Sequence, residues 1–170
     1  MMMKFFASVF GSSGTKLRNY ELAVVEAVQT KLPATARHLI RRQLEAINLV
    51  QRHSQDKEVN LYRMRGRKVE PPVEFRFPND AEEIHLARVR LESFETAEEV
   101  VADVWLVRGI LFSITFGRSP KTVPLNRHKI KSCELFVDVM RPSIERLETQ
   151  VPPPAEGSSR LIQRDDAGGP

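Results

Sequence analysis

One stretch, residues 100–117, constrains the fold of this 170-residue chain more than any other. It is rich in Val, Ile, Phe and Trp, the residue types that suit a pleated and half-buried surface. Arg108-Gly109 lies in its middle, and glycine reaches at little cost the positive φ that a two-residue hairpin turn requires. The stretch therefore predicts a β-hairpin, which makes antiparallel sheet part of the fold.

Strand alternation assigns the side chains of this hairpin to two faces. We expect the aromatic face to pack in the core under a helix; its members are Trp105, Phe112, Ile114 and Phe116. We expect the opposite face to have no cover within the chain; its apolar members are Val104, Leu106 and Leu111. Because an uncovered apolar surface is typical of an interaction site, these last three are the candidate interface residues.

Asp103 interrupts the aromatic face, between Val101 and Trp105. A buried carboxylate needs a partner, since otherwise its pKa rises and it takes up a proton. Asp103 is therefore either a candidate buried acid in a functional site or, if the strand starts later or pairs in another register, a residue in solvent.

Two helices precede the hairpin in the sequence. Apolar residues recur at helical spacing over residues 16–32, and Pro33 ends that helix because proline disfavours helical geometry in the residue before it. A second apolar stripe over residues 34–53, with arginines mostly on its other side, predicts a second helix that lies on a core.

The remaining elements are predicted strands. Residues 59–64, 73–77 and 84–91 are the candidates, the last with a β-bulge near Ala87-Arg88 where its alternation slips. Residues 135–139 fit a strand or a helix, and residues 143–150 fit a short helix. The order predicts an α+β fold, with two N-terminal helices packed on one face of a mostly antiparallel sheet of four to six strands.

Length and composition predict a single domain over residues 1–150. Within it, residues 1–15 form a flexible or flap-like N-terminal segment, and residues 151–170 form a disordered tail rich in Pro, Gly and Ser. Cys133 is the only cysteine, which leaves no intramolecular disulfide and favours a reducing, cytoplasmic location. We expect no membrane span, because no apolar stretch is long enough.

The chain carries a mild net charge of +4, and its basic residues form two clusters free of acids. The first consists of Arg63, Arg65, Arg67 and Lys68, and the second of Arg118, Lys121, Arg127, Lys129 and Lys131. Clustered cations attract phosphates, although few aromatic residues accompany these to stack on bases. A nucleic-acid-binding protein that uses both clusters is the alternative function.

No catalytic motif stands out, so an enzyme has no support from the sequence. Gly11 to Lys16 lacks the Gly-Lys-Ser/Thr ending of a phosphate-binding loop, and the four histidines have no metal-ligand spacing. We expect no cofactor and no metal. The sequence favours a non-catalytic binding module that acts through a protein partner or as a homodimer. A ligand-binding or enzymatic pocket between helices and sheet, with Asp103 inside, is a third possibility.

Overall fold

The computed structural model describes residues 13–78 and 81–136. Most of the predicted N-terminal segment therefore lies outside the described residues. So do residues 137–139 of the predicted element at 135–139, and all of the predicted helix at 143–150 and of the predicted tail at 151–170.

The described chain contains two helices, α1 (Asn19–Lys31) and α2 (Ala34–Ala46), and nine strands. The strands are β1 (Ser13–Gly14), β2 (Leu49–His53), β3 (Glu58–Tyr62), β4 (Met64–Arg65), β5 (Lys68–Val69), β6 (Glu83–Ser93), β7 (Glu99–Val107), β8 (Ile110–Phe116) and β9 (His128–Leu135). Short 3-10 helices lie at Val73–Phe75 and Pro120–Thr122.

Seven strands form one antiparallel sheet in the order β1-β2-β3-β8-β7-β6-β9. Six of them have five or more residues, and β1 adds two residues at one edge. The β4–β5 ribbon is separate from this sheet. The arrangement confirms the predicted α+β class.

Both helices cover the same face of the sheet. The buried stripe of α1 is Val24, Val25 and Val28, and α1 lies over β6 and β9. Helix α2 lies over β8 and buries Ala36 and Ile40. Pro33 separates the two helices, as the sequence predicts.

Two predicted elements are wrong. Helix α2 ends at Ala46, and residues 49–53 form β2 instead of the last turns of the helix. Val50 fits both the helical stripe and a strand, and its pairing opposite Leu61 decides between them. The predicted strand at 73–77 is a 3-10 turn over Val73–Phe75, in a segment bracketed by prolines that cannot donate ladder hydrogen bonds.

The hairpin and its turn are confirmed. Arg108 and Gly109 have φ values of 49° and 77°, as a two-residue turn requires. Beyond the pairing of Leu106 with Leu111 the register shifts, because Trp105 lies opposite Ser113. One extra residue, Phe112, therefore forms a β-bulge in β8. The bulge predicted in β6 is also present, between His85 and Ala87.

The predicted assignment of the hairpin faces is largely reversed. Val104, Leu106 and Leu111 are at most 1% exposed, beneath the helices, so no interface surface exists at these residues. Ile114 and Phe116 are in the core as predicted, because the bulge moves them to the helix-covered face.

Trp105 and Phe112 lie half-buried on the outer face of the sheet, away from the helices. The outer face supplies the polar partner that the indole N–H of Trp105 needs, since Nε1 donates to Thr115 Oγ1 at 3.1 Å. The hairpin side chains that face the helices are apolar and include Ile114 and Phe116.

Candidate functional site

The bulge at Phe112 has a consequence for the neighbouring strand. Strands β3 and β8 pair from Glu58 to Asn60, and their last matched residues are Asn60 and Ser113. Beyond that point Leu61 and Tyr62 have no partner in β8. The two strands therefore separate at the end of the sheet that carries the Arg108-Gly109 turn. Bulges commonly end pairing in this way beside functional sites.

A cavity of about 580 Å³ lies where the two strands separate. It is bounded by the C-terminal end of α2, by β3, by β5 with the segment that follows it, and by the hairpin turn. Its walls are mainly apolar and consist of Ile47, Leu61, Tyr62, Val69, Pro71, Pro72, Val73, Val107, Ile110, Leu111 and Phe112. The remaining lining residues are Gln43, Arg63, Arg76, Glu82 and Arg108.

Gln43 forms the polar part of the cavity floor and is fully buried. Its Nε2 donates to Phe75 O at 2.6 Å and to Gly109 O at 3.1 Å. Its Oε1 accepts from Leu111 N at 2.7 Å. The side chain thus takes the place of the missing β3 partner for the backbone of the hairpin. Because both amide protons and the carbonyl oxygen of Gln43 are hydrogen-bonded within the protein, this side chain needs no hydrogen-bond partner from a ligand.

An aromatic pair contributes to one wall. The rings of Tyr62 and Phe112 meet edge to face, with centroids 5.7 Å apart and planes at 86°. Burial raises the pKa of the Tyr62 phenol above its usual value of 10.0, and the nearby Glu58 carboxylate adds to the rise. Tyr62 is therefore neutral at physiological pH and contributes mainly its ring.

The rim of the cavity carries the charges. Arg63 Nη1 lies 2.6 Å from Glu74 Oε1, and Arg108 Nη2 lies 2.9 Å from Glu82 Oε1. Arg76, which follows the 3-10 turn, forms no ion pair within residues 13–78 and 81–136. The rim therefore combines two internally neutralised pairs with one further guanidinium.

Asp103 does not line this cavity, contrary to the third possibility raised by the sequence. It lies on the outer face with its side chain 20% exposed, and it bonds Arg88 Nε at 2.8 Å and His85 Nε2 at 2.9 Å. Burial acts to raise the pKa of Asp103, but the hydrogen bonds from Arg88 and His85 outweigh it and hold the pKa below its usual value of 3.8. The residue is a paired anion and not a proton donor.

His85 links Asp103 to an aromatic stack on the same outer face. Its ring lies 4.4 Å from that of Trp105, nearly parallel to it, and 4.2 Å from that of Phe136. These contacts complete the environment of Asp103 and show why the sheet tolerates a carboxylate beside Trp105.

The two basic clusters lie at opposite ends of the sheet. The first follows β3 near the hairpin turn, and the second lies near the β2–β3 loop and the start of β9. Six of the nine side chains form ion pairs: Arg63 with Glu74, Arg65 with Glu70, Arg118 with Glu98, Lys121 with Asp56, and Lys129 and Lys131 with Glu92. Arg67, Lys68 and Arg127 are exposed. The clusters therefore do not combine into one continuous basic surface.

A buried ionic network at the far end of the sheet was not predicted. Arg52 in β2 donates two hydrogen bonds to Glu21 in α1, at 2.8 and 2.6 Å, and both side chains are at most 5% exposed. Asp56, 2% exposed, pairs with Arg18 and Lys121. These groups tie α1 to the β2–β3 loop and serve the fold.

Sequence reasoning also missed Gln43, Arg76 and Glu82 as cavity residues. One signal was available for Gln43, which occupies a core position of the α2 stripe between Ile40 and Ile47. Nothing in the sequence marks Arg76, because its position depends on the turn at Val73–Phe75 and on the separation of β3 from β8.

Comparisons with protein-family models, with curated proteins and with solved structures find no match for this chain. Within the described parts of the chain, no three His, Cys, Asp or Glu side chains are grouped so as to hold a metal ion. None of the described helices has the length and apolar character needed to cross a membrane.

Proposed function

We propose that this protein is a non-catalytic binding module that holds a small, largely apolar molecule in the cavity between β3 and β8. The observation that carries the proposal is the cavity itself, about 580 Å³ with a mainly apolar lining. Ligand pockets in proteins typically measure about 300–1,000 Å³ and combine apolar walls with a few placed polar groups.

The state of the polar lining groups supports binding rather than catalysis. Gln43 is saturated by backbone partners, and Glu82 is held by Arg108. A general base or nucleophile must be able to reach the substrate, and these groups are already committed to partners within the protein. The cavity offers shape and apolar surface to its occupant.

Action through a protein partner or as a homodimer stays a prediction. The surface first assigned to that interaction, at Val104, Leu106 and Leu111, is buried beneath the helices. The nucleic-acid alternative also stays a prediction, since the two basic clusters are separated, are mostly ion-paired and form no single docking surface.

A cytoplasmic location rests on the single cysteine, whose thiol is half-buried. Burial raises the pKa of Cys133, which keeps it in the neutral thiol form.

The test is a titration with the uncharged fluorophore N-phenyl-1-naphthylamine, whose emission rises in an apolar site. We expect saturable binding with one site per chain. Val73 lines the cavity and is 61% exposed, so Val73→Trp fills the mouth at little cost to folding. An indole that displaces roughly two methylene equivalents of the probe should weaken binding about tenfold.

Leu22→Trp is the matched control. Leu22 is 41% exposed on α1 and does not line the cavity, so this variant should bind the probe like the parent protein. The proposal fails if the parent protein shows no saturable binding, or if both tryptophan variants weaken it equally.

A further inference from the structure

We propose that the ligand is an amphipathic monoanion, a carboxylate with an apolar body, whose head group binds Arg76 at the rim of the cavity. This inference rests on the proposed function and adds the chemical class of the ligand. Its starting point is the uneven distribution of charge around an otherwise apolar lining.

The charges of the rim set the charge of the ligand. Three arginines and one glutamate line the cavity, and Glu74 outside the lining neutralises Arg63. Since Glu82 neutralises Arg108, one positive charge remains among these groups, and it belongs to Arg76. A single negative charge on the ligand would balance this one guanidinium.

The chemistry of arginine selects the head group. A guanidinium presents paired N–H donors whose spacing matches the two oxygens of a carboxylate, and this geometry adds direction to the attraction. Arg76 is exposed to solvent, so it can meet a head group that stays partly hydrated while the apolar body enters the cavity.

The surroundings of the rim favour the approach of an anion. Arg67 and Lys68 lie exposed at the turn of the β4–β5 ribbon, and Val69 of the same ribbon lines the cavity. Positive charge beside the mouth raises the local concentration of anions and weakens as salt screens it. These residues attract the ligand from a distance, while Arg76 makes the contact.

The experiment compares two ligands of equal chain length, decanoate and decan-1-ol, as competitors of N-phenyl-1-naphthylamine. We expect the parent protein to prefer decanoate. Arg76→Gln should weaken decanoate binding about fivefold, the upper range for an exposed ion pair, and leave decan-1-ol binding within about twofold. The preference of the parent protein for decanoate over decan-1-ol should also decrease as the salt concentration rises.

Arg67→Gln is the matched control, since it removes the same charge beside the cavity without touching its lining. It should leave the preference for decanoate within about twofold of the parent value. The inference is overturned if Arg76→Gln weakens both ligands equally or neither, or if Arg67→Gln has the same effect as Arg76→Gln.

The two proposals fail in different ways. If the fluorophore binds but decanoate competes no better than decan-1-ol, the ligand class is wrong and the cavity remains a binding site. If the fluorophore and both competitors fail to bind, the proposed function falls as well.

Discussion

The buried pair between Glu21 and Arg52 allows a quantitative prediction. Glu21 is fully buried and Arg52 is 5% exposed, and two hydrogen bonds join them. Glu21→Gln keeps the shape of the side chain but leaves a buried guanidinium with no counter-charge at this contact. Removing one member of a buried ion pair costs about 3–5 kcal/mol of unfolding free energy, and we expect Arg52→Met to cost a similar amount.

Replacing both residues with apolar side chains should recover most of that loss. A double variant, Glu21→Met with Arg52→Met, leaves no buried charge at this position. It still removes the acceptor of Arg18 N and the donor to Lys16 O, which together cost about 1–2 kcal/mol because water reaches both groups. The double variant should therefore be more stable than either single variant.

Urea denaturation followed by circular dichroism measures the three unfolding free energies. Arg42→Met is the control, because Arg42 pairs with Glu45 on the surface and exposed pairs contribute about 0–1 kcal/mol. The reasoning is refuted if the single variants at the buried pair lie within about 1 kcal/mol of the parent protein. It is refuted equally if the double variant is less stable than both single variants.

Two further predictions concern the sheet. Leu106→Ala should lower the unfolding free energy by about 2–5 kcal/mol, because Leu106 is fully buried. Ile130 is 38% exposed, so Ile130→Ala should lower it by less than about 1 kcal/mol in the same urea assay. Equal losses in the two variants would contradict the face assignment. The ion pairs of Asp103 should stabilise the protein only while its carboxyl is ionised. Since the folded-state pKa lies below the usual 3.8, the stability advantage over Asp103→Asn should be present above that value and disappear as the pH falls through the folded-state pKa. Urea midpoints of both proteins from about pH 6 to about pH 2 measure this, and an advantage that persists at the acid limit would contradict it.

The parts of the fold that follow from local pattern were predictable. The hairpin turn at Arg108-Gly109, the end of α1 before Pro33 and the bulge in β6 each depend on residues adjacent in the chain. The end of α2 was not predictable in this way, because residues 47–53 satisfy a helical stripe as well as a strand. Pairing of Val50 with Leu61 resolves the choice, and that partner lies eleven positions further along the chain.

The candidate site could be predicted from the sequence even less than the fold. No apolar pattern predicts a cavity, because its walls come from α2, β3, β5 and the hairpin, which are distant in sequence. The bulge at Phe112 opens it, and this bulge leaves little trace in the sequence, since Leu111 and Phe112 are both apolar and fit either face. Arg76 and Gln43 become cavity residues only once that opening exists.

The amino-acid sequence by itself determined the class of this protein: two amphipathic helices and an antiparallel sheet built around one hairpin. Hydrophobic periodicity and turn chemistry act over a few residues, so they can be read directly from the chain. The tertiary structure decided which face of the hairpin the helices cover. The one extra residue in β8 reverses which side chains beyond it face the helices. In addition, the indole N–H of Trp105 and the carboxylate of Asp103 need polar partners, and only the outer face provides them.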